Sequence, residues 1–352
     1  MKTQTDIFLS AHSALEFWRT ASTRDGFRPV AWDPGQAGSP TTQQLLALRQ
    51  TMTARLRAPL CLLVGPDATR GPRVALAFRT HGAPLPEGSY LQVEPGIHVA
   101  SPEICVVQMA QALTPGQLAA LVTEMCGTYY SLPETGKLAE RPGPLMTLDS
   151  LRLLLDRIPR YKGLLGTRAA INLSLERSAS PMETVVGLLL SLPCRHGGFG
   201  LPKPQLNVPI VLSPQAAAMS EASRHDIDFF WSHHYFGAEY DGRDPHTREH
   251  AFDADRRRSN ALLAMGITEL RLTAEHVRSD AEMEAQARFI ARNIGFRMQA
   301  RRFDLATRRL SLREELLMAT EGSARPRWPG LRPNAPNLMS ALTADARRRA
   351  NK

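Results

Sequence analysis

Three carboxylates interrupt apolar runs within residues 224–242, Arg-His-Asp-Ile-Asp-Phe-Phe-Trp-Ser-His-His-Tyr-Phe-Gly-Ala-Glu-Tyr-Asp-Gly. Asp228 sits inside Ile-Asp-Phe-Phe-Trp, and Glu239 and Asp241 follow Tyr-Phe-Gly-Ala. The stretch reads as two short strands joined by a tight turn containing His233 and His234. Side chains alternate faces along a strand, so Glu239 and Asp241 point the same way. Pairing as a hairpin brings Asp228 close to them. Carboxylates crowded on a partly buried sheet repel one another and are costly to desolvate. A divalent cation resolves the conflict, and magnesium or manganese takes oxygen ligands of this kind. Asp228, Glu239 and Asp241 are therefore the expected metal ligands. Two blander readings compete. Arg256 or Arg258 of the following helix could neutralise Asp228 and Glu239, and Asp241-Gly242 is a common turn dipeptide. Asp226 shares the face of Asp228 but reads as the exposed start of its strand.

The elements that must hold these residues lie between about 173 and 300. Ser180-Pro181-Met182-Glu183 opens a helix through Leu190, with Ser180 as cap and Pro181 at the first position. Leu206–Leu212 reads as a strand, 214–223 as a polar loop or short helix, and the carboxylate hairpin follows. Asp253–Met265 is a basic helix stopped by Gly266. Ile267–Thr273 alternates as a strand, and Asp280–Ile294 is the last clear helix. This order predicts an α/β unit, a small mixed sheet flanked by helices. Residues 1–172 read as a smaller α+β domain, with helices at 13–19, 45–57, 102–113, 115–126 and 147–157. Its strands are expected at 60–64, 74–79, 90–93 and 97–99. Residues 301–352 mix Arg with Pro and read as a basic, partly flexible tail, with helical pieces at 308–318 and 341–349.

Composition narrows the function. The 352 residues carry a formal net charge of +9, which suits a polyanionic partner, nucleic acid ahead of an anionic membrane surface. Arg256, Arg257 and Arg258 are the expected phosphate contacts. Cys61, Cys105, Cys126 and Cys194 form no Cys-x-x-Cys pair, which argues against zinc and a disulfide framework and for reduced thiols. No Gly-x-Ser-x-Gly elbow, Gly-x-Gly-x-x-Gly loop or Walker-type Gly-Lys-Ser/Thr occurs. His196-Gly197-Gly198-Phe199-Gly200 reads as a flexible link. With no signal peptide and no membrane-spanning run, a cytoplasmic location is expected. Oligomeric state is not legible.

The ordered series Ser180-Pro-Met-Glu-Thr, Gly200-Leu-Pro-x-Pro, Asp228-Phe-x-Trp, Glu239-Tyr-Asp-Gly, Asp255-x-x-Arg and Gly266-Ile resembles DUF559-type endonuclease domains. These are similar to very-short-patch-repair nucleases, within the PD-(D/E)XK nuclease fold. The resemblance covers roughly residues 178–296. It implies a magnesium-dependent endonuclease acting on DNA. Asp228 is then the metal-binding aspartate of the second core strand, and Glu239 the acidic residue of the third. Glu183 on the first helix completes the site, and His246, or else His250, is the histidine after the strand. Asp241 stands where many relatives carry lysine. That departure keeps open an alternative, an inactive nuclease-like DNA-binding regulator or antitoxin-type protein. In the first domain, Ser13–Arg19 and Ile97–Glu103 are weakly similar to AbiEi-type antitoxin proteins, implying a scaffold or recognition role.

Overall fold

The computed structural model describes residues 6–35, 39–41, 59–68, 76–158, 160–242, 252–298 and 303–318, with Gln44, Leu45, Leu48 and Leu56. They divide into two compact units, one up to Asn172 and one spanning Leu173–Met318. Both mix helices and sheet, so the chain is of the α/β class.

In the first unit, strands β1 (Ile7–Leu9), β2 (Arg28–Trp32), β3 (Leu60–Val64), β4 (Leu76–Thr80), β5 (Leu85–Glu94) and β6 (Ile97–Ala100) form one mixed sheet, ordered β2-β5-β6-β1-β3-β4. The Leu-Cys-Leu-Leu-Val run of β3 is buried throughout, as an apolar run in an inner strand requires. Helices α1 (Ala11–Thr20), α2 (Pro102–Met109) and α3 (Pro115–Met125) follow the expected segments, and α4 (Leu148–Arg157) starts on a Thr147 cap. α1 forms where a helix is expected, but packs inside the unit rather than along its edge. It is buried nearly all round, and Arg19 survives there through a two-pronged ion pair with Glu124 at 2.7 and 2.8 Å. A small β7 (Tyr129–Ser131) and β8 (Leu138–Glu140) pair and helix α5 (Leu164–Ile171) complete the unit. Most of the expected helix at 45–57 lies outside the described residues. Cys61, Cys105 and Cys126 are buried.

The second unit opens with α6 (Pro181–Ser191), whose Ser180 hydroxyl accepts the Glu183 N–H at 3.1 Å. Then come β9 (Gln205–Val211), α7 (Pro214–Ser220), β10 (Arg224–Trp231), β11 (Phe236–Asp241), α8 (Phe252–Ala264), β12 (Thr268–Thr273), α9 (Ala274–Arg278), α10 (Asp280–Asn293) and α11 (Phe303–Met318). The sheet order is β12-β11-β10-β9. β10 runs antiparallel to β9 and β11, and β12 is parallel to β11. A parallel neighbour needs a long crossover, which α8 supplies. Leu212, Ala216, Ile227, Ala261, Leu262 and Ile267 fasten α7 and α8 to the sheet. Gly187 lets α6 lie against β10, since a Cβ there would stand 2.6 Å from Leu175 Cδ1 and 3.4 Å from Phe229 Cε1.

Two expectations are corrected here. The glycine-rich stretch is not a loose link: Phe199 is buried, its N–H bonds the Leu189 carbonyl at 2.8 Å, and a Cβ at Gly198 would strike the Leu192 carbonyl oxygen at 2.0 Å. Nor does the unit end near residue 300. Leu312 and Leu316 of α11 are buried, and Arg309 packs over Phe199 at 4.3 Å while pairing with Glu284 at 3.0 Å. The expected helical piece at 341–349 lies outside the described residues.

Candidate functional site

The hairpin forms as its sequence suggests, with a short 3-10 turn at Ser232–His234 between β10 and β11. Its ladder pairs Trp231 with Phe236, Phe230 with Gly237 and Phe229 with Ala238. At the next step the backbone pairing gives way to the two carboxylates. Glu239 Oε1 accepts the Asp228 N–H at 3.3 Å, and Asp228 Oδ2 accepts the Tyr240 N–H at 2.8 Å. Asp228 and Glu239 thus face one another where the hairpin opens.

On the other side of β10, the flanking pairs Ile227–Val208 and Phe229–Leu206 set Asn207 opposite Asp228. Asn207 has φ 49°, a left-handed conformation that Asn tolerates better than most residues. Its Nδ2 donates to Glu183 Oε2 at 2.6 Å and to the Arg177 carbonyl at 2.8 Å. Arg177 also has a positive φ, 67°. Ala179 N–H donates to the same Glu183 oxygen at 2.7 Å. Two left-handed residues therefore anchor the carboxylate that α6 delivers, and strained backbone of this kind concentrates at functional sites.

Electrostatics sets this corner apart. Burial, then the Glu183 charge, pushes the Asp228 carboxyl up to about 7, although the Tyr240 N–H and Arg258 oppose the shift. Burial, then the charge of Asp228, pushes Glu239 up to about 8 against the pull of Arg258. In both groups burial and a neighbouring acid outweigh the pull of Arg258.

Arg258 of α8 reaches into the same corner. Its Nη2 bonds Glu239 Oε1 closely, Glu269 Oε1 at 3.2 Å and the Asp226 carbonyl at 2.7 Å. This is the arginine neutralisation that competed with metal ligation in the sequence, and it falls on Glu239. Among the described residues Asp228 makes no ion pair.

Asp241 is not gathered with the other two ligands expected of it. Its carboxylate lies 4.0 Å from Arg271 Nη1, and Arg271 in turn bonds Asp255 closely. Among the described residues, no three His, Cys, Asp or Glu side chains form a group able to hold a metal ion. What remains is the pair Asp228 and Glu239. Oxygen donors of this type fit magnesium, which is commonly held by one or two carboxylates and keeps several waters.

Asp226 pairs with Arg224 at 3.0 Å at the exposed strand start, as read from the sequence. Arg256 is exposed on α8, and Arg257, also exposed, lies 3.7 Å from Glu221. His246 and His250 lie outside the described residues. Asn207, Glu269 and Arg271 were missed by sequence reasoning. An Asn inside an apolar strand is depleted enough to be a signal, and Glu269 and Arg271 stand two apart in an alternating strand.

No family model, no curated protein and no solved structure resembles this chain at a meaningful level. Among the described residues, no helix is long and apolar enough to cross a membrane.

Proposed function

We propose that the second unit is a divalent-cation-dependent nuclease acting on DNA phosphodiesters, related in fold to the PD-(D/E)XK nucleases. The observation that carries the reading is the Asp228–Glu239 pair. It sits on the second and third strands of a helix-strand-helix-strand-strand-helix-strand unit, with Asp228 raised by burial and the Glu183 charge and Glu239 by burial and the Asp228 charge. Asp228 and Glu239, with the neighbouring Tyr240 carbonyl, would hold magnesium or manganese. When bound, that ion acidifies a water and screens the attacked phosphate. Glu183, fixed by Asn207 and Ala179, keeps a further negative charge beside Asp228 and strengthens the demand for a cation. Arg256 and Arg257, exposed on α8, would bind backbone phosphates without reading sequence.

Nicking of supercoiled plasmid by the full chain, with magnesium or manganese and with chelator, tests the proposal. Metal-dependent nicking by the native protein is expected, together with its loss in Asp228→Asn and Glu239→Gln while gel-shift binding persists. No nicking under any metal would overturn it.

A second reading is a DNA-binding regulator with a silent site. Two observations favour it: Arg258 already sits on Glu239, and Asp241 stands where the resemblance calls for lysine. DNA binding without cleavage selects this reading.

A further inference from the structure

We propose that Arg258 gates the site: in the free protein its guanidinium stands in for a divalent cation on Glu239, and backbone phosphates of bound DNA draw it away. The inference rests on the cation reading of Asp228 and Glu239 given above.

A single nitrogen, Arg258 Nη2, gathers an oxygen from Glu239, one from Glu269 and the Asp226 carbonyl oxygen. Of these oxygens, Glu239 is the one the cation reading also needs, so Arg258 and a hard cation claim the same carboxylate. The arrangement leaves something unsatisfied, because Arg258 Nε is buried and, among the described residues, has no hydrogen-bond partner. A guanidinium resting on acidic groups with all its N–H groups satisfied would be a finished structural pair. One held by its tip, with Nε unmet, has a bonding group to gain by leaving. It also stays 23% exposed, against 5% for the Glu269 side chain, so water and ligands reach it.

The competition is direct. A divalent ion on Glu239 would meet the Arg258 charge on the same oxygen, and like charges that close exclude one another. Phosphate offers arginine an alternative with matching geometry, since the planar guanidinium bonds phosphate oxygens in pairs. Arg256 and Arg257 are exposed in the same turn of α8 as Arg258, so a phosphate backbone bound there passes within a helical turn of the gate. DNA binding and cation binding therefore assist one another, and linkage makes the assistance reciprocal. The free protein holds its cation weakly, and the site completes itself on substrate.

Manganese binding to the full chain, followed by the resonance of the free ion, tests this. The native protein and Arg258→Gln are compared with and without a short duplex carrying non-hydrolysable linkages, after subtraction of manganese held by the duplex alone. Without DNA, Arg258→Gln is expected to bind manganese about tenfold tighter than the native protein, within the usual range of coupling between sites. The duplex should tighten binding to the native protein and leave the variant unchanged. Equal or weaker manganese binding by the variant, or an equal DNA effect in both, overturns the gate. Should Arg258→Gln not fold, Glu269→Gln serves, since it removes one acceptor of Arg258 and leaves Asp228 and Glu239 intact. It should tighten manganese binding by a smaller factor, and weaker binding would count against the gate. A native protein that nicks plasmid and binds manganese, beside an unchanged variant, refutes the gate and spares the nuclease. Failure of both proteins to bind manganese, with no nicking, refutes the cation reading and the gate with it.

Discussion

Asp228 and Glu239 take the place of a ladder step in their own hairpin. Glu239 Oε1 accepts the Asp228 N–H, and Asp228 Oδ2 accepts the Tyr240 N–H. The carboxylates that crowd the mouth of the hairpin are thus held in position by the strands they separate. That fixes them as a facing pair, where free surface acids would splay into water.

The pair should make the metal-free protein less stable as pH rises. Both carboxyls titrate higher in the folded protein, at about 7 and about 8, than in an unfolded chain, where such groups lie near ~4. Between those values the folded state holds more protons, so stability falls through that window and levels off above about pH 8. Asp228→Asn removes the cost while keeping an acceptor for Tyr240. In chelator it is expected to stabilise the protein by roughly 1–3 kcal/mol at pH 8 and by little at pH 5. Thermal melts at the two pH values measure it, and a variant less stable at pH 8 would contradict the burial of an uncompensated charge.

Cation binding should release protons. Ligation requires ionised carboxylates, so magnesium affinity is expected to climb from pH 6 to pH 8, about tenfold per pH unit where one proton is displaced. Calorimetry in two buffers of different ionisation heat reads the proton count. A pH-independent affinity would place the ion elsewhere.

Asn207 tests whether the backbone at the site is built for Glu183. Asn207→Gly keeps the left-handed conformation and loses both side-chain bonds, for a cost of about 1 kcal/mol. Asn207→Val adds a β-branched residue at positive φ and should cost at least about 2 kcal/mol. Denaturant melts that rank Val as no worse than Gly would show that the conformation is not demanded.

Gly187→Ala should push α6 off β10, because the new methyl meets Leu175 and Phe229. A loss of about 1–3 kcal/mol is expected in a thermal melt, with weakened manganese binding as Glu183 moves from Asp228. An unchanged melting temperature would mean that Leu175 simply yields.

Arg256→Ala with Arg257→Ala should weaken DNA binding and flatten its salt dependence by about two in the log–log slope if each contacts one phosphate. Both side chains are exposed, so folding should be untouched. An unaltered slope would remove them from the interface.

The hairpin, the Ser180-capped helix, the basic helix and the closing strand were legible because each is announced locally. Alternation, a Ser-Pro cap and a glycine stop are all read within a few residues. Asp228 and Glu239 were legible as neighbours for the same reason, since alternation and the tight turn place both acids on the facing strands of one hairpin. The flexible-link reading of 196–200 failed because glycine also serves close packing, and here Gly198 sits against the Leu192 carbonyl.

By itself, the sequence determined which residues stand on strands and which of them oppose burial. Tertiary structure decided which charges meet. Asp241 came within 4.0 Å of Arg271 of β12, Glu239 acquired Arg258 from a helix 19 residues away, and Glu183 was tied down by an asparagine 24 residues on. Long charged side chains choose partners by distance and burial, and both are set by how the strands and helices pack. The alternation of a single strand holds no information about either.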